Sequence, residues 1–150
     1  MGIFEKVMQE RHPAPESVTL TARQAFAAIV VGAFNADKRV ASEEAVRVNE
    51  IFNSTKLFRQ PSAEPVHAVV DRVVELFRLH GNEVVLALAA NALPQELRPP
   101  AFAIAVDLVL ADGEASVEER KFIDGLQELL QMSDEAAMKI VDVIIVKNSA

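Results

Sequence analysis

Two short acidic segments carry most of the chemistry this chain offers. Residues 111–119 read Ala-Asp-Gly-Glu-Ala-Ser-Val-Glu-Glu, and residues 36–44 read Ala-Asp-Lys-Arg-Val-Ala-Ser-Glu-Glu. Asp112, Glu118 and Glu119 therefore recur as Asp37, Glu43 and Glu44, about 75 positions earlier, a spacing long enough for one multi-helix unit. Carboxylates supply only oxygen donors, which suit hard cations such as Ca²⁺ or Mg²⁺. Gathered on one surface without a cation, they would repel one another. Neither segment is an EF-hand, because the loop is too short and lacks acids at alternate positions.

The elements that must position these acids are helices. Gly113 suits the left-handed residue just past a helix end. Ser116 and Glu119 form an S-x-x-E capping box that starts the next helix. Each acidic segment thus reads as a helix end, a tight bend and a helix start. Each also follows an apolar run, residues 25–34 and 101–110, suited to the centre of a bundle.

The remaining helices follow from caps, breakers and apolar spacing. A short amphipathic helix over 2–10, with Ile3, Phe4, Val7 and Met8 on one side, ends before Pro13 and Pro15. Thr21 and Gln24 cap a helix to about residue 36. Ser42 caps a third helix, with Ala45, Val48, Ile51 and Phe52 inward, and a loop follows over 53–61. Ser62 starts the fourth, with Pro65 in its first turn, and His80-Gly81 closes it. Its predicted stripe is Val66, Val69, Val70, Val73, Val74 and Phe77.

A fifth helix spans 83–93 before Pro94, and Pro99-Pro100 opens a sixth over 101–112. The seventh, 117–131, is predicted to bury Phe122, Ile123, Leu126, Leu129 and Leu130. Ser133 caps the last, with Met138, Ile140, Val141, Ile144 and Ile145 inward. The β-branched run Val143, Ile144, Ile145 and Val146 is compatible with a strand, but the helical stripe and the Ser133 cap favour helix.

The internal echo extends beyond the acids. Ser62, Glu64, Val69-Val70-Asp71 and Val73-Val74 match Ser133, Glu135, Ile140-Val141-Asp142 and Ile144-Ile145. The expected architecture is an all-α, single-domain bundle of about seven to eight helices over residues 1–150, built from pseudo-symmetric repeats over about 2–80 and 81–147.

Composition narrows the functions. The net charge is −7, there is no run of Lys or Arg, and Trp and Tyr are absent, so a nucleic-acid surface is not expected. The lack of cysteine excludes disulfides and thiolate metal sites. The apolar runs are about 10 residues long, against about 20 for a bilayer span. No signal peptide is visible near Met1, so no membrane insertion and a cytoplasmic location are expected. His12, His67 and His80 are not spaced as a ligand pair, and HExxH, P-loop, GxSxG and GxGxxG motifs are absent. Paired carboxylates could in principle hydrolyse glycosides, but the aromatic sugar platforms are lacking. The expectation is a non-enzymatic protein.

The run Ala111-Asp112-Gly113, a Glu seven positions after the Asp, and the closing Glu119-Arg120 resemble the TerB-like tellurite-resistance family. The same module occurs in certain membrane-anchored J-domain co-chaperones. The resemblance implies an all-α fold with two symmetric halves, acids gathered at both bends as a divalent-cation site, and a role in stress and tellurite resistance beside other proteins of such a system. The residues that match are Asp112 and Glu119, with Asp37 and Glu44 as their echoes, and Glu43 and Glu118 adjacent. One departure is local: Lys38 and Arg39 stand where the second bend has Gly113 and Glu114. Two simpler roles compete with metal binding. Asp112 could accept a backbone N–H in its turn, and Glu119 could serve only as the capping partner of Ser116. The functional alternative is a protein-interaction module whose acidic patch meets a basic partner without metal.

Overall fold

The computed structural model describes residues 2–3, 18–37, 50–59, 64–111 and 114–149, with the side chain of Asp37 outside that set. The described chain is all-α, and no strand occurs among the described residues. Helix α1 spans Ala22–Asp37, α2 Val66–His80, α3 Asn82–Ala92, α4 Arg98–Leu110, α5 Val117–Leu129 and α6 Asp134–Lys147. Residues 50–54 are helical and lead into a 3₁₀ turn, Lys56–Phe58. None of the described helices is long and apolar enough to cross a membrane.

Helix α1 is the centre because its sequence offers no polar face. Every residue from 25 to 33 is buried, and α1 packs against α2, α3, α4 and α5. Fully burying a Phe or Ile side chain stabilises the fold by about 1.5–3 kcal/mol. Its start is the predicted box: Gln24 N–H donates to Thr21 Oγ1 at 3.1 Å, and Thr21 N–H donates to Gln24 Oε1 at 3.0 Å. Helix α4 is also apolar, with Pro99 and Pro100 tolerated in its first turn, where no intrahelical N–H bond is lost. It buries Ala101, Phe102, Ala105, Val106 and Val109, and it packs against α1, α5 and α6.

Several expectations change. Helix α2 starts at Val66, not at Ser62, and Pro65 is its N-cap with extended backbone (φ −58°, ψ 147°) rather than a first-turn residue. A proline also disfavours helical backbone in the residue before it, which keeps Glu64 outside. Ser62 itself lies outside the described residues, as do Ser42, Ala45, Val48 and nearly all of the 2–10 segment. The stretch 53–61 is not plain loop. Its 3₁₀ turn carries Phe58 into the core, stacked on Phe52 at 4.4 Å and tilted against Phe26 at 6.1 Å between ring centroids.

Val74, Leu129, Met138 and Ile145 are exposed rather than inward. Apolar periodicity defines a stripe, but an outer helix has neighbours on one side only, so the edges of the stripe stay in water. Helix α4 ends at Leu110, short of Asp112, and α5 ends at Leu129, short of Gln131, whose φ of 54° places the left-handed residue there. Gly81 (φ 83°) closes α2 as expected. Helix α6 runs through the β-branched residues 143–146, started by Ser133 Oγ accepting Ala136 N–H at 3.1 Å.

Candidate functional site

The second acidic bend lies between α4 and α5. At its far side the capping box forms completely. Glu119 N–H donates to Ser116 Oγ at 3.1 Å, and Ser116 N–H donates to Glu119 Oε1 at 2.9 Å. Glu119 is only 6% exposed and is the one buried charged residue among those described. Its position is accounted for by the cap and by the positive end of the α5 dipole.

Glu118, one residue earlier, is exposed and points to different chemistry. It lines a recess of about 220 Å³ with Gly32, Asn35 and Ala36 of α1, Asn82 and Leu86 of α3, and Phe122 of α5. Apolar Leu86 and Phe122 flank it, while Asn35, Asn82 and Glu118 contribute oxygen donors. Gly32 is what lets α1 come so close. A Cβ there would stand 2.9 Å from Leu86 Cδ2 and 3.5 Å from Phe122 Cε2. The recess therefore borders the last turn of α1, immediately before Asp37, and the first turn of α5, immediately after the second bend.

The six predicted acids fare unequally. Glu118 and Glu119 are described, at the start of α5. Asp37 ends α1, and its side chain lies outside the described set. Glu43, Glu44 and Asp112 lie outside the described residues altogether. Among the described residues no group of three or more His, Asp or Glu is gathered closely enough to hold a metal ion. The donors that are described at the recess, one carboxylate and two amides, are of the hard oxygen type that Ca²⁺ and Mg²⁺ take.

Sequence reading missed two arginines. Arg98, at the start of α4, donates from Nη1 to the Leu130 carbonyl at 3.1 Å and from Nη2 to the Ala90 carbonyl at 3.4 Å. It thus ties together the last turns of α3 and α5, whose dipoles favour a cation. Arg23, at the start of α1, donates from Nη1 to the Glu64 carbonyl at 2.6 Å and lies 4.8 Å over the Phe58 ring. The Nε of each is buried without a hydrogen-bond partner among the described residues. The signal was present: Arg23 and Arg98 are separated by the same interval as Asp37 and Asp112.

Comparison with protein-family models matches residues 23–141 to the family described as tellurite resistance protein TerB. The match begins at Arg23 and takes in both acidic segments, every residue that lines the recess and most of α6. No curated protein and no solved structure matches the chain. The extent of the family match, together with the all-helical bundle around α1, establishes that the chain belongs to the TerB family of tellurite resistance proteins.

Proposed function

We propose that this chain acts in tellurite resistance or a related stress response as a non-enzymatic, cytoplasmic protein. In this reading it consists of two repeats, about 2–80 and 81–147, and binds a divalent cation, Ca²⁺ or Mg²⁺, between their acidic bends. The ligands are drawn from Asp37, Glu44, Asp112 and Glu119, with Glu43 and Glu118 beside them. The supporting observation is the shared recess: Glu118 lines it together with Asn35 and Ala36, the residues that lead into Asp37. The last turn of α1 and the first turn of α5 thus border the same recess. The cation would let adjacent carboxylates share one surface and would brace the two bends against each other.

Thermal unfolding with and without cation tests this reading. A hundredfold excess over Kd stabilises a single-site protein by about 2.7 kcal/mol, or roughly 5–10 °C at this chain length. The double variant Asp112→Asn, Glu119→Gln should lose that rise. Gln at 119 keeps a side-chain oxygen for the Ser116 N–H, so the cap survives and only charge is removed. An unchanged Tm at millimolar Ca²⁺, Mg²⁺ and Mn²⁺ would overturn the proposal.

A further inference from the structure

A second, wider cleft of about 450 Å³ runs between α3 and α5 and shares Leu86 and Phe122 with the recess at Glu118. Its floor is apolar, with Leu86, Phe122 and Leu126, and Leu129 stands at its end 37% exposed. Gly125 opens a gap in the α5 wall, where an added Cβ would meet nothing within 4 Å. On α5 the positions 118, 122, 125 and 129 follow helical spacing, so they form one continuous seam about three turns long. Among the described residues lining this seam, the exposed acids Glu83, Glu118 and Glu128 stand against one cation, Lys121.

We infer that this groove is a docking site for an amphipathic helix from a partner protein, with apolar anchors at i, i+3/i+4 and i+7 and with Lys or Arg along its flanks. An apolar floor bordered by two helices accepts a third helix by ridge-into-groove packing. The gap at Gly125 gives a bulky anchor a place to enter. The acid-rich rim selects the charge of the flanks and steers their approach. Glu118 lies on the seam and also lines the recess, whereas Gly125, Glu83 and Glu128, which set the groove's shape and rim charge, are not among the proposed cation ligands. The other exposed apolar face, Met138, Val143, Ile145 and Val146 on α6, lacks such walls and is interrupted by Glu135, Lys139 and Asp142.

The test is fluorescence anisotropy of the full chain with a labelled helical peptide of about 14 residues, leucines on one face and lysines on the other. Saturable, salt-sensitive binding is expected. Gly125→Leu should weaken it by about tenfold or more by filling the gap, at unchanged helicity because the space is open. Glu83→Lys with Glu128→Lys should weaken it by roughly tenfold at low salt through the charge alone. Val146→Asp on α6 should leave it unchanged.

Equal binding to the Gly125→Leu variant, or equal binding of a peptide with glutamates for lysines, would overturn the inference. Two other occupants would also overturn it. A concentration-dependent dimer abolished by Gly125→Leu would assign the groove to a second copy. Peptide binding that appears only after Phe4→Asp would assign it to the chain's own amphipathic segment.

Discussion

Arg23 and Arg98 occupy matching places at the starts of α1 and α4, yet their surroundings differ. Each sends Nη1 to a main-chain carbonyl, Glu64 just ahead of α2 and Leu130 just ahead of α6. Each leaves its Nε buried without a partner among the described residues. The second arm diverges. At Arg98 it reaches the Ala90 carbonyl, whereas at Arg23 the guanidinium lies over Phe58, carried in by the Lys56–Phe58 turn. What the two corners share is a bond to backbone, which survives exchange of the neighbouring side chains. What they do not share is side-chain packing, which follows the local loop.

The aromatic corner is broken most severely at its ring stack. Phe52→Ala removes a fully buried ring stacked on Phe58 and should destabilise the protein by about 3–5 kcal/mol in urea unfolding. The arginines come next. Arg98→Met leaves two helix-end carbonyls without their donor and should cost about 2–3 kcal/mol. Arg23→Met loses one carbonyl bond and a cation–π contact and should cost about 1–2 kcal/mol. Equal losses would mean that the shared carbonyl bond carries the whole effect. The smallest effect separates the two capping boxes: Ser116→Ala should cost about 1–2 kcal/mol and Thr21→Ala about 0.5–1 kcal/mol, because the first box is part-buried and the second exposed.

Much of the fold was legible because its signals are local. The caps at Thr21, Ser116 and Ser133 involve residues only three apart, so spacing alone exposed them. Gly81 was legible because a positive φ favours glycine. Val74, Met138 and Ile145 were misread as core because periodicity marks a face without saying whether another helix covers it. The 3₁₀ turn that buries Phe58 was misread as loop because three residues are too few to show a period. At the candidate site, the types and spacing of the acids were visible. The part of Glu119 taken up by capping was visible too, whereas the facing of Glu118 toward α1 was not.

By itself the sequence determined an all-helical chain, most of its starts and stops, and a central α1 with no polar face, because those depend on interactions within a few residues. Only the tertiary structure decided that Asn35, Asn82 and Glu118 would border one recess, that Arg98 would span Ala90 and Leu130, and that Gly125 would open a groove beside Leu129. These are juxtapositions of segments far apart along the chain. They are set by how closely α3, α4 and α5 pack around α1, down to the single missing Cβ at Gly32, and no local rule encodes that distance.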